Sequence, residues 1–298
     1  NIKIRSIMKK LLGLLLLTGT LFAQANNIFI INPSIHSAGM GNTGIGDFNS
    51  KNLFHNPAFV LDSSGASISN VKWLPTLVDD MGYTNLQYNS SKFGVELFYF
   101  DYGTQTEANP DGIIVGDFSS SSTRLGVSYG HDINGWLLGG RLNVYQHDFY
   151  QTDGSSTNFG LDLGIHKSMV GENGGASFGI VLKDLGGESE FQQAKIKLPM
   201  SLGLGMKYSL IKGNFTFNTL TDIKLYEEFS SFGVGTEYLF NNMGAIRLGY
   251  YSEPEYDVDY ITFGGGLILE SISIDLAYLI NENSFHNETL MLSFGFNF

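Results

Sequence analysis

Residues 289–298 read TLMLSFGFNF, and this stretch decides the fold. Leu290, Leu292, Phe294, Phe296 and Phe298 are apolar, while Thr289, Met291, Ser293, Gly295 and Asn297 between them are mostly small or polar. A strand points successive side chains to opposite faces, so the stretch is a strand with one greasy and one mild face. In water, an apolar stripe on a free strand edge invites aggregation. A closed barrel in lipid removes the difficulty: the stripe faces acyl chains and the edge pairs with the first strand. The last strand of a soluble sandwich is the competing reading.

Working back from the end, the same alternation recurs. Apolar faces stand out at Phe93/Val95/Leu97/Tyr99, Leu125/Val127/Tyr129, Trp136/Leu138/Leu142/Val144, Phe159/Leu161/Leu163/Ile165 and Ala176/Phe178/Ile180/Leu182. They continue at Leu198/Met200/Leu202/Leu204/Met206/Tyr208, Phe215/Phe217, Phe232/Val234/Tyr238, Ile246/Leu248/Tyr250, Ile261/Phe263/Leu267/Leu269 and Ile272/Ile274/Leu276/Tyr278. With 289–298 these make twelve strands, and weaker candidates at 64–73 and 80–89 bring the total to about fourteen. The connections alternate long and short almost throughout, with long ones at 103–121, 147–157 and 185–197. Bacterial outer-membrane barrels have an even strand number, short periplasmic turns and longer outer loops. The expected fold is therefore an all-β, transmembrane antiparallel barrel with both termini in the periplasm.

Charges lie opposite the apolar faces: Arg124, Arg141, Asp162, Lys207, Asp222, Lys224, Glu237, Arg247 and Asp275. Facing lipid near the midplane, each would cost about 2–4 kcal/mol. The alternation turns them into the lumen instead. Both signs occur on neighbouring strands, so Arg141 is expected to meet Asp162, and Arg247 to meet Asp275. A salt-bridged filling that braces the wall is the first reading, and a conducting polar pore the second.

The amino-terminal part has a different texture. Lys9 and Lys10 precede the apolar run 11–22 and then Ala23-Gln24-Ala25, the pattern of a signal peptide cut after Ala25. Residues 1–25 hold four bases and no acid, leaving 13 of the 17 bases against 29 acids, a net of −16. That balance argues against nucleic acid as a partner. There is no Cys, so closure of the sheet must supply what disulfides give other exported proteins. Residues 26–62 lack a sustained period-two pattern and are rich in Gly and Asn. Gly39, Gly41 and Gly44 permit tight backbone, and Asn56-Pro57-Ala58 marks a turn. A compact plug in the periplasmic half of the lumen is expected, with the barrel proper over 63–298. A phosphate-binding loop would need a preceding strand and a following helix, which are not in the pattern.

Catalytic signals are poor. The six His have no ligand spacing, there is no Gly-x-Ser-x-Gly elbow, and neither a cofactor nor a metal is expected. The acidic loop SEPEYDVDY (252–260) lacks the spacing of an EF-hand and reads as a solvated loop. Tyr102 and Ile113/Ile114, around Asn109-Pro110-Asp111-Gly112, are expected to be offered to a partner from an outer loop.

Several stretches resemble a known family in the same order. AGMGNTGIGD (38–47) followed by HNPAF (55–59) resembles the amino-terminal pattern of FadL-like barrels, especially the PorV/PorQ family of the type IX secretion system. FDYGTQTEANPDGIIVGDFSSSS (100–122), NFGLDLGIHKSM (158–169), ASFGIVLKDLGGE (176–188), LPMSLGLGMKY (198–208), RLGYYSEPEY (247–256) and ITFGGGLILESISIDLAY (261–278) are similar to the same family. The terminal Phe294, Phe296 and Phe298 resemble the end signal of bacterial outer-membrane barrels. The resemblance implies a fourteen-strand barrel in a Bacteroidetes-type outer membrane. It implies a non-enzymatic role in type IX secretion or surface attachment, with partners among the other components and cargo carrying a C-terminal sorting domain. The alternative is a FadL-type transporter of hydrophobic small molecules, in which the plug gates a greasy channel opening sideways through the wall.

Overall fold

The alternation is realised as fourteen antiparallel strands that close on themselves. The computed structural model describes residues 25–75, 78–109, 111, 113–149, 156–191, 194–280 and 289–298. The expected signal peptide lies, except for Ala25, outside the described residues. In chain order the strands are β1 (Gly65–Lys72), β2 (Gly82–Ser90), β3 (Phe93–Ala108), β4 (Ile114–Ile133), β5 (Trp136–Asp148), β6 (Ser156–Gly171), β7 (Gly174–Gly186), β8 (Glu188–Phe191), β9 (Ala194–Lys197), β10 (Ser201–Lys212), β11 (Phe215–Tyr226), β12 (Ser230–Phe240), β13 (Gly244–Glu253), β14 (Val258–Leu269), β15 (Ile272–Ile280) and β16 (Thr289–Asn297). All but β8 and β9 form the barrel.

The terminal strand closes it. β16 pairs with β1 from Gly65↔Asn297 to Val71↔Met291, and with β15 on its other side. Its stripe points outward, with Phe294 48% and Phe298 62% exposed to the surroundings of the barrel. Leu142 and Ile246 are exposed in the same way on other strands. A continuous outward apolar surface with every strand edge paired is what a lipid environment requires.

Three expectations are corrected. Leu198 does not face outward; it precedes β10 and is buried in the lumen. The stretch 103–121 is mostly strand, because β3 runs to Ala108 and β4 starts at Ile114, pairing from Thr104↔Ser119 to Ala108↔Ile114. This pairing lies beyond the end of the β2–β3 pairing at Gly82↔Asp101, so it forms a two-stranded ribbon above the rim. The stretch 185–197 carries the hairpin β8–β9, whose backbone lies against β6 and the first turn of the amino-terminal segment.

Two irregularities interrupt the wall. The β3–β4 register shifts between Asp101 and Thr104, around Gly103 at φ +75°. The β6–β7 register shifts between Leu161 and Leu163, with Asp184 at φ +57°. Strict alternation would turn Asp184 outward toward lipid; this bulge keeps it inside, buried beside Lys183.

Inside the barrel lies the segment before β1. It comprises a 3₁₀ turn (Ala25–Ile30), one helical turn α1 (Ile35–Ala38), and 3₁₀ turns at Ser50–Asn52 and Pro57–Leu61. Side chains cap three of these turns: Ser34 accepts from Ser37 N, Asn49 from Lys51 N and Asn56 from Ala58 N. Asn56-Pro57-Ala58 is thus a capped turn start, with proline at a first-turn position where no backbone donor is needed.

Candidate functional site in the lumen

The lumen has two halves of different chemistry. Toward the short turns it is ionic. Arg247 donates from Nε to Glu237 (2.8 Å) and from Nη1 to Asp275 (2.9 Å), and Lys51 of the plug donates to Asp275 (2.6 Å). Lys207 donates to Asp47 of the plug (2.6 Å). His36 sits among them, with Nε2 3.2 Å from Asp47 and Nδ1 3.9 Å from Asp275. Burial and the charge of Arg247 push the His36 pKa down, but the carboxylates of Asp275, Asp47 and Glu237 outweigh them, and it stands above its ordinary value. Burial works against ionised Asp47 as well; Lys207 and His36 overcome this and hold it well below the usual carboxylate range. Across the barrel, Arg124 donates to Glu96 (2.5 Å), and Arg141 lies 3.5 Å from the same carboxylate.

The wall also satisfies the plug's backbone, whose carbonyls and amides would otherwise be buried without partners. Asp222 accepts from the amides of Gly44 (2.7 Å) and Ile45 (2.9 Å). Thr262 accepts from Gly41 N (2.9 Å), Ser177 donates to Gly46 O (2.7 Å), and Gln87 donates to Ser50 O (2.6 Å). Arg141 donates to Leu53 O, and Asn56 donates to Ile165 O (3.1 Å). These contacts run round the circumference, from β2 through β5, β6, β7 and β11 to β14. Gly39 is needed where the plug meets β14, because a Cβ there would stand 2.9 Å from the Cα of Gly264. Gly41, at φ +67°, packs on the backbone of β12 and β13, and Pro57 and Ala58 lie on Gly139 of β5.

Toward the long loops the lining becomes apolar and aromatic. Tyr83, Phe98, Phe100, Tyr102, Tyr145, Tyr251 and Tyr260 form one cluster with Val71, Leu279 and Met291. Phe29 of the first turn enters it, its ring centroid 4.8 Å from Tyr145 and 5.0 Å from His147. The tyrosine hydroxyls turn away to wall or plug partners: Tyr83 donates to Asn32 O (3.1 Å), Tyr102 pairs with Ser122 (3.1 Å), and Tyr260 accepts from Asn42 (2.6 Å). The rings are therefore left to pack on one another, as Phe100 does on Tyr102 and Tyr251 on Tyr260. The segment 26–62 is not confined to the short-turn half, since Phe29 reaches this outer region.

Arg124, Arg141, Asp162, Lys207, Asp222, Lys224, Glu237, Arg247 and Asp275 all face inward, as the alternation implies. Arg247 and Asp275 meet. Arg141 and Asp162 stand opposite in register but do not pair: Arg141 turns to Glu96, Ser128 and Leu53, while Asp162 accepts from Asn143 (3.0 Å) and from Asp184 N (2.8 Å). The amide exposed by the bulge claims the carboxylate. Tyr102 is buried, not offered to a partner, whereas Ile113 and Ile114 are exposed at the ribbon tip. In the acidic loop, Glu255 accepts from Ser230 N (3.1 Å) and Oγ (2.9 Å). Glu96 was legible as a charge between Val95 and Leu97. Lys183 and Asp184 together inside were not, because no period-two pattern shows a bulge.

No protein-family model matches the sequence, and no curated protein matches it. Solved structures do resemble the fold. The toluene transporter TbuX of Ralstonia pickettii superposes with a TM-score of 0.56 at 14% identity, covering 90% of this chain and 98% of that one. The toluene transporter TodX of Pseudomonas putida gives 0.51 at 14% identity, over 88% and 97%. A FadL homologue of Pseudomonas aeruginosa gives 0.55 at 10% identity, over 90% and 98%. At these identities the likeness is one of fold: a fourteen-strand, FadL-like barrel of the outer-membrane type.

Proposed function

We propose that this chain is a non-enzymatic, FadL-type channel that carries small hydrophobic molecules across the outer membrane. The observation that carries the reading is the division of the lumen. An aromatic lining with its hydroxyls turned aside suits an apolar solute arriving from the loop side. Below it, the plug is bonded to the wall around the whole circumference through ion pairs and backbone hydrogen bonds. A hydrophobic solute gains nothing by continuing down that path, since it would displace paired charges without replacing their bonds. Release sideways through the wall into lipid is the course that keeps it in an apolar medium. The similar structures named as toluene transporters support this reading over the secretion reading, which rests on the resemblance to PorV/PorQ sequences and on a Bacteroidetes-type membrane.

The test is uptake. Vesicles carrying the folded chain should accumulate labelled toluene faster than vesicles without it. A neutral sugar of similar mass should enter both at the same rate. Equal toluene rates would refute the channel, and faster sugar entry would favour the polar pore.

A further inference from the structure

His36 is the ionisable side chain of α1, and both of its ring nitrogens face carboxylates. Nε2 lies 3.2 Å from Asp47 of the plug, and Nδ1 lies 3.9 Å from Asp275 on β15 and 4.0 Å from Glu237 on β12. A neutral imidazole carries one N–H, so either tautomer turns a lone pair toward a carboxylate. Only the doubly protonated ring is attracted on both sides. The other charges packed here are Arg247 on β13, bonded to Glu237 and Asp275, Lys207 on β10, bonded to Asp47, and Lys51 of the plug, bonded to Asp275. Asp62 acts on Lys207, and Asp222 on β11 acts on Asp47. The residues that β14, β16, β1 and β2 turn inward here, among them Thr262, Ser293, Ser69 and Asn85, do not titrate.

Solvent reaches the ring from the short-turn side. His36, Lys51 and Lys207 line a cavity of about 430 Å³ that extends to Ile211, Leu239 and Ile268 beside the short turns. The Lys51 and Lys207 side chains, 21% and 22% exposed, show that it is open. On its other side His36 borders a cavity of about 20 Å³, shared with Asn85, Ser293 and Gly295 of the wall. That volume is room for one or two waters, so α1 does not pack on the wall along its whole face.

We propose that His36 is a proton-operated latch of the plug. Protonated, it ties α1 to β12 and β15 through their carboxylates. When it gives up the proton to the short-turn side, α1 comes away from the wall, while Lys51 and Lys207 keep the rest of the plug in place. Burial and Arg247 lower the His36 pKa, but the carboxylates of Asp275, Asp47 and Glu237 outweigh them. The latch is therefore closed below about pH 6.5 and opens as pH rises through the folded value. It works in the same way whatever the barrel carries.

The test is amide hydrogen exchange on the full folded chain at about pH 5.5 and about pH 8.5, either side of the ordinary histidine value, with each rate corrected for its intrinsic pH dependence. The amides of Ala38 and Gly39 donate to Ser34 O (2.9 Å) and Ile35 O (3.2 Å) within α1. Their protection should fall by about tenfold or more at the higher pH, as for one lost charge-assisted hydrogen bond. Protection of Phe59 and Asp62, in the turn at Pro57–Leu61 and its cap, should stay the same. His36→Gln should make protection of α1 independent of pH. Unchanged protection of α1 in the wild-type chain, or an equal fall at Phe59 and Asp62, overturns the latch whether or not the variant folds. A fall that persists in His36→Gln overturns it as well.

Discussion

Replacing Asp275 by Asn tests whether the plug is locked by charge. Asp275 accepts from Arg247 (2.9 Å) and from Lys51 of the plug (2.6 Å), and stands 3.9 Å from His36. The substitution keeps the shape and removes the charge. Breaking a buried pair from one side costs about 3–5 kcal/mol, because the partner is left uncompensated. Here the cost falls at the low end, about 3 kcal/mol, since Arg247 keeps Glu237 and the Lys51 side chain is 21% exposed. At roughly 2–4 °C per kcal/mol, the midpoint should fall by about 6–12 °C. The assay is the temperature at which the folded band disappears from a semi-native gel. Lys51→Met in the same chain should restore about a third to a half of the loss, because the stranded ammonium is gone. Arg141→Ala with Asp162→Ala, which are not paired, should show little of this direct coupling. If the Lys51 and Asp275 effects add without interaction, the lock is not electrostatic.

Three more outcomes follow from the same geometry. The His36 pKa is raised in the folded state, so its contribution to stability is complete below about pH 6.5 and fades as pH rises through the folded value; His36→Gln should flatten the fall of the melting midpoint above that pH. Gly46→Ala would place a Cβ 2.8 Å from the backbone of Met206 and should cost about 1–3 kcal/mol, whereas Gly116→Ala, with nothing within 4 Å, should leave the midpoint unchanged. Shortening 105–116 to a Gly-Ser turn should leave the barrel folded, since these residues lie outside its closed pairing; unchanged toluene uptake with reduced surface display of sorting-domain proteins would favour the secretion role.

The plug explains why the inner lumen does not read as an open pore. Its polar backbone groups take partners from the wall and its charged side chains take counter-charges there, so plug and wall are one folded unit. The first turn is held differently, mainly by ring contacts around Phe29 and by the bond from Arg124 to its carbonyl (2.8 Å). The polar half is thus held by ion pairs and hydrogen bonds, and the loop-side half by buried ring packing.

By itself the sequence determined the wall. Period-two alternation, the inward placement of nine charges and the phase of long and short connections are local properties, and lipid on one side enforces them at every strand. The terminal stripe 289–298 alone implied closure, because its edge needed a partner. Only the tertiary structure decided which charges meet. Arg141 and Asp162 are register partners, yet a bulge in β7 presents the amide of Asp184 to one, and Glu96 reaches the other across β4. It also decided that Tyr102 and Leu198 turn inward, and that the loop-side lumen is aromatic. Those outcomes depend on register shifts and on which plug residue lies against which strand. Such contacts join residues from 22 to 224 positions apart, and no pattern along the chain encodes them.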